Sequence, residues 1–260
     1  MTWEARPRSE VGGLSAIVSG TGPSVVMIHG VGLRAEAWNR QIEALEPFLR
    51  VIAIDMPGHG DSAPLKEAAP ALSDFSDALA AALTEPALVF GHSMGAMIAL
   101  DLAIRFPDRL RGVAALNAVF NRSAAASKAV QARAENLDGT SRVDPAGTLL
   151  RWFGDVDSPE KEACRMWLCG MDPSEYRKAY HVFATEDGPR RDDLSALTCP
   201  VLFATGSSEP NSTPEMTREM ASLTPRGRSE IVDGATHMMP MTHADEVNPI
   251  LLEFARANSE

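Results

Sequence analysis

The chain has 260 residues, 45% hydrophobic and 23% charged, the proportions of a soluble protein with one large α/β domain or a core carrying an insertion. No apolar run approaches the roughly 18 to 20 residues that span a bilayer, and residues 1–10 are charged without an apolar signal core, so a cytoplasmic protein with no membrane partner is expected. A net charge of −11 argues against nucleic acid as a partner, and three cysteines (Cys164, Cys169, Cys199) without a Cys-x-x-Cys pair argue against a disulfide framework or zinc site and read as small buried hydrophobes.

The first predicted strand covers residues 25–28, and the helix after it, 36–45, puts Ala37, Trp38, Ile42 and Leu45 on one face. Strand 51–54, helix 72–83, strand 88–90, helix 94–106 and strand 113–116 follow. These strand runs are continuously apolar rather than alternating, as expected where both faces of a parallel sheet are covered. The alternation of strands and helices predicts a doubly wound, mostly parallel α/β sheet, with ligands at the carboxyl ends of its strands.

The rhythm stops at residue 120 and resumes at 195. Between them, Asp138-Gly139, Asp144-Pro145, Ser158-Pro159 and Asp172-Pro173 divide the chain into three or four short helices, each proline where a first helical turn accepts it. Residues 1–119 and 195–260 are therefore expected to form the two parts of the core, with residues 120–194 inserted as a helical cap. Aromatics and methionines concentrate in the insertion and pack it onto itself; some are also expected to line a pocket beneath it, with Trp152, Trp167, His181 and, from the core, Met238 as candidate substrate contacts. Beyond it come strand 200–205, helix 214–223, strand 229–232 and a last helix that Thr242 can cap, with Asp245 and Glu246 following.

The chemistry centres on Gly91-His92-Ser93-Met94-Gly95, between an apolar strand and an Ala-rich helix. A tight strand-to-helix turn lifts the serine hydroxyl clear of the sheet, and the glycines avoid collisions with neighbouring backbone. A serine hydroxyl needs a base, usually histidine, and the histidine needs an anion to fix its tautomer. Both follow in the order Ser, acid, His: Glu209 after strand 200–205, and His237 in the turn after the last strand.

With His29-Gly30, the stretch from Asp55 through Pro57-Gly58-His59-Gly60 to Ser62, the elbow, the Glu209 loop and the His237 turn, the chain resembles the α/β-hydrolases of the esterase, lactonase and carbon–carbon-bond hydrolase group over nearly its whole length. The resemblance implies an oxyanion hole from the backbone N–H groups of Val31 and Met94. Relatives usually carry Asp where this chain has Glu209, and where others take their acid after residue 116 this chain has the uncharged Asn117. Asp233 lies too near His237 in sequence to face it, whereas the longer Glu209 reaches it if its loop draws back.

His29 and His92 read as residues holding loops, and His59 as structural. The run from His237 through Met238, Met239 and Met241 to His243 looks like a soft-metal site, but the triad already accounts for His237, so no metal is expected. The expected activity is hydrolysis of a small carboxylic ester or lactone through an acyl-enzyme, with no cofactor and a small acyl compound as the only partner. Carbon–carbon-bond hydrolysis, perhydrolysis and acyl transfer use the same residues, and a non-catalytic ligand-binding protein on this fold is the alternative of another class. Nothing in the sequence sets an oligomeric state.

Overall fold

In the computed structural model, which describes residues 3–259, the apolar runs become one eight-stranded sheet. The described strands are β1 (Ser9–Val11), β2 (Leu14–Ser19), β3 (Ser24–Ile28), β4 (Arg50–Ile54), β5 (Ala87–His92), β6 (Leu110–Leu116), β7 (Val201–Gly206) and β8 (Gly227–Val232). Their spatial order is β1-β2-β4-β3-β5-β6-β7-β8. β2 runs antiparallel to both its neighbours, and every pairing from β4 to β8 is parallel. The chain steps from β3 out to β4 and then returns to the other side of β3 as β5. That reversal opens a crevice at the carboxyl ends of β3 and β5, where ligands of open α/β sheets bind.

The described α-helices are α1 (Asn39–Leu45), α2 (Leu72–Ala80), α3 (Met94–Arg105), α4 (Ala124–Glu135), α5 (Ala146–Phe153), α6 (Pro159–Gly170), α7 (Pro173–Thr185), α8 (Arg191–Ser195), α9 (Pro214–Leu223), α10 (Met239–Thr242) and α11 (Ala244–Asn258). Strand residues alternate between the two faces. On β3, Val26 and Ile28 enter the core with Phe75, Leu79 and Ile98 of α2 and α3, while Val25 and Met27 enter the core with Ile42 and Leu45 of α1 and Leu251 of α11. Each such buried aliphatic contributes about 1.5–3 kcal/mol relative to leaving it exposed, so covering both faces is what demands a continuously apolar strand.

Between β6 and β7 the structure has five helices, α4 to α8, one or two more than the sequence suggests. The turn signals act as caps. Ser158 Oγ accepts from Lys161 N at 3.1 Å before Pro159, and Asp172 Oδ1 accepts from Ser174 N at 2.9 Å before Pro173.

Several expectations are corrected. The hairpin of β1 and β2 adds two strands before the first predicted one. Its turn, Gly12-Gly13, has φ of +62° and +83°, the positive values that a two-residue hairpin favours. Thr242 does not cap the last helix: it ends α10 and donates to Met238 O at 3.1 Å, leaving His243 to precede α11 without a side-chain cap. Cys164 and Cys199 are buried, but Cys169 is exposed. No described helix is long and apolar enough to cross a membrane.

Candidate active site

Ser93 follows β5 and precedes α3, with φ +57° and ψ −119°, a strained conformation for a residue with a side chain. Close backbone packing surrounds the turn. A Cβ on Gly91 would run into the Gly95 carbonyl, and one on Gly95 would run into the Ile28 carbonyl. Ser93 N donates to Leu116 O at 2.8 Å, tying the turn to β6. Met94 is the first residue of α3, so its N–H belongs to the helical turn that has no intrahelical acceptor. The loop after β3 lies against the elbow: a Cβ on Gly30 would come within 3.1 Å of Ser93 Cβ.

His237 and Glu209 come from the turns after β8 and β7. These turns are clasped together, with Ser208 N donating to Ala235 O at 2.9 Å and Gly206 too close to Ala235 O to tolerate a side chain. Glu209 N donates to Gly206 O at 3.2 Å, which turns the loop back and brings its side chain onto the imidazole. His237 Nδ1 donates to Glu209 Oε2 at 3.0 Å, and Oε1 accepts from Asn211 N at 2.7 Å and Asn211 Nδ2 at 3.2 Å. Burial opposes ionisation of Glu209, but the His237 charge and these hydrogen bonds outweigh it and hold the carboxyl below the ordinary glutamate range. Asp233 turns away and accepts from Ser207 Oγ at 3.2 Å, while Asn117 Nδ2 donates to Thr205 Oγ1 at 3.2 Å.

Three further histidines are buried and held neutral, each pushed down to about 3 chiefly by burial. His92 Nε2 donates to His237 O at 2.8 Å and so fixes the backbone of the His237 turn. His29 Nδ1 donates to Gly30 O at 2.8 Å while its Nε2 accepts from Met56 N at 3.1 Å, and His59 Nδ1 donates to Pro57 O at 3.0 Å. His243 pairs with Thr242 Oγ1 at 2.9 Å. Among the described residues, no group of three or more His, Cys, Asp or Glu side chains could hold a metal ion.

Ser93 and His237, each 7% exposed, line one cavity of about 130 Å³ together with Val31. Of the expected substrate contacts, Trp152 lies in this cavity, its ring stacked on the His237 imidazole at 5.4 Å between centroids. The others do not line it. Trp167 packs edge-on against Trp3 in a separate depression, because α6 turns that face toward the N-terminal segment. His181 lies beside Ala69 and Pro70 on the outer side of α7, and Met238 is buried in the core. The sequence reading also missed Arg122, Arg133, Arg151 and Asn211 as cavity residues. A signal existed: Ala126, Ala129, Val130 and Arg133 follow helical spacing along α4, as do Thr148, Arg151 and Trp152 along α5.

Comparison with known proteins agrees with this architecture. A family model described as "Alpha/beta hydrolase family" matches residues 25–250. The chain is 38% identical over 235 residues to an (E)-2-((N-methylformamido)methylene)succinate hydrolase of Acinetobacter baylyi, covering 88% of this chain and 89% of that protein. It is 28% identical over 249 residues to a pimeloyl-[acyl-carrier protein] methyl ester esterase of Xanthomonas oryzae pv. oryzae, covering 91% and 96%. Among solved structures, a thermophilic esterase from Thermogutta terrifontis superposes with a TM-score of 0.84 at 25% identity, covering 98% of this chain and 100% of that one.

Proposed function

The chain belongs to the α/β-hydrolase family, and from that footing we propose that it is a serine hydrolase acting on a small acyl compound, an ester or lactone, through an acyl-enzyme. Ser93 Oγ attacks the carbonyl carbon as His237 Nε2 takes its proton. Glu209, on Nδ1, sets the tautomer that leaves Nε2 free and stabilises the imidazolium. The N–H groups of Val31 and Met94 receive the oxyanion, each donor worth roughly 3 kcal/mol of barrier. His237 then protonates the leaving group, and water attacking with His237 as base releases the acid and restores Ser93. Helices α4 to α8 serve as the cap over this centre. No step calls for a metal or organic cofactor.

The observation that carries the reading is a single cavity shared by a serine in a strained elbow and a histidine whose far nitrogen is bonded to a buried carboxylate. A binding protein has no need of that strain, which argues against the non-catalytic alternative. The first relative's name favours one further reading, cleavage of an amide-like acyl bond by the same three side chains. A fluorophosphonate probe should label Ser93, and Ser93→Ala should lose both labelling and turnover across a panel of p-nitrophenyl esters, lactones and amides. Turnover unchanged in Ser93→Ala would refute the proposal.

A further inference from the structure

Within the same cavity, two guanidinium groups lack counter-ions. Arg133 Nε donates to Tyr180 OH at 3.1 Å, and an Arg151 terminal nitrogen donates to Thr148 Oγ1 at 3.0 Å. Both partners are neutral hydroxyls, and among the described residues neither arginine forms an ion pair. Half-buried arginines elsewhere do meet carboxylates: Arg8 with Glu36 at 2.6 Å, Arg34 with Glu36 at 2.8 Å and Arg105 with Asp77 at 2.7 Å. Even the third arginine of the cavity is occupied. Arg122 reaches Asp187 at 3.1 Å, Phe183 O at 3.1 Å and the Glu186 carbonyl, and its guanidinium lies 4.7 Å from the Phe183 ring centre.

Arg133 and Arg151 also act on each other. Burial lowers the Arg151 pKa from its ordinary value, and the charge of Arg133 lowers it further. Two like charges are thus held near one another, half out of water, in a protein whose net charge is −11. Such an arrangement is costly until an anion fills it. Leu33, Val130 and Phe183 give the cavity an apolar wall, and its third arginine, Arg122, is paired with Asp187, so Arg133 and Arg151 are the cavity's arginines without an ion pair among the described residues.

We propose that Arg133 and Arg151 form a carboxylate clamp, and that the substrate is a short acyl compound bearing a free carboxylate in addition to the group Ser93 attacks. This rests on the serine hydrolase reading for the reacting end, but the clamp itself is testable without catalysis. Guanidinium forks suit carboxylates, since their paired N–H donors match the two oxygens. An uncharged ester of the same length would leave both charges unmatched and bind less well. The clamp selects the substrate and takes no part in bond cleavage.

The first measurement compares mono-p-nitrophenyl glutarate, which carries the carboxylate, with p-nitrophenyl valerate, its uncharged counterpart. Wild-type protein should favour the glutarate by about tenfold or more in kcat/KM, and Arg151→Gln should reduce that ratio by about tenfold, chiefly through KM. Equal or better turnover of the valerate by wild type overturns the clamp while leaving the serine hydrolase reading intact. If neither ester is turned over, the hydrolase reading of this cavity is in question, and a second measurement still decides the clamp. Calorimetric titration of glutarate into Ser93→Ala should give binding that Arg133→Gln and Arg151→Gln, each added to it, weaken by about tenfold. No heat in Ser93→Ala, or equal affinity in all three proteins, overturns the proposal. Wild-type selectivity needs no variant, so a misfolded substitution does not protect the idea.

Discussion

On the sheet side of the cavity, Ser93, Glu209 and His237 stand in turns after β5, β7 and β8, and every residue of β5 and β7 is buried. On the helical side, α5 buries Leu149 alone, while Leu150, Val156 and Met166 of the same insertion are 55%, 70% and 58% exposed. The first wall leaves its backbone no alternative: glycines touch carbonyls, neutral histidines bridge loops, and the carboxylate is fully partnered. The second presents arginines and aromatics from helices that are tied down less. Chemistry that depends on tenths of an ångström is suited to the rigid wall, and recognition to the wall whose side chains can change at little cost to the fold.

The largest expected effect falls on the rigid wall. Glu209→Gln keeps the shape but removes the charge that orients and stabilises His237. We expect kcat to fall about 10³–10⁴-fold, on the pattern of other triads, with only a modest drop in the urea midpoint from the lost charge. A decrease of less than about tenfold would remove Glu209 from the mechanism. Next in size is a pair of glycine substitutions, one in each region. Gly95→Ala drives a methyl group into the Ile28 carbonyl and should cost at least about 3 kcal/mol, or prevent folding altogether. Gly170→Ala, at the end of α6 with nothing within 4 Å, should leave stability unchanged or raise it by up to about 1 kcal/mol. Similar costs at both positions, read from urea unfolding, would erase the contrast.

Acid should act through the buried histidines of the sheet side. His29, His59 and His92 each fall to about 3 in the folded protein from an ordinary 6.5, mainly through burial. Between those values the unfolded chain binds more protons than the folded one, so stability declines as pH falls below 6.5. Each contributes a slope of up to about 1.4 kcal/mol per pH unit. Glu209 acts in the same direction at lower pH: its folded pKa lies below the ordinary 4.5, so its contribution is whole above that value and is lost as pH falls through the lowered one. Urea midpoints from pH 7 to pH 4 should drop steeply, and His29→Gln should flatten the curve by about one proton. A midpoint insensitive to pH would mean that these rings are not buried as neutral groups.

The rigid wall was also the legible one. Continuous apolar strands, glycines spaced around Ser93 and an acid ahead of a histidine are local patterns, and each places a residue at a strand end without any knowledge of helix docking. The helical wall depends on which face of α4, α5, α6 and α7 turns inward, and that is decided by packing between elements distant in sequence. Trp167 and Trp152 look alike in the sequence; only the docking of α5 and α6 sends one onto His237 and the other onto Trp3. Helical spacing puts Arg133 and Arg151 each on one face with its cavity neighbours, but a charge on a helix is usually solvated, and spacing alone does not say that this face turns inward. The β1–β2 hairpin differs, since its turn signal, Gly12-Gly13, is local.

Beside His237, a hydrogen bond joins the two walls. Thr236 Oγ1 donates to the Trp152 carbonyl at 2.7 Å, joining the residue before His237 to the penultimate residue of α5. The contact lies beside the Trp152 ring stacked on the imidazole and one residue after Arg151 of the cavity wall. Thr236→Val preserves shape and removes the donor, at a cost of about 1 kcal/mol. If the helical wall is the adjustable one, the loss should be local: faster amide exchange in α5, a raised KM, and little change in kcat or in the global urea midpoint. A fall in kcat as large as that in KM would mean that α5 holds His237 in its reactive position, and the division between a rigid chemical wall and an adaptable binding wall would then fail at this residue.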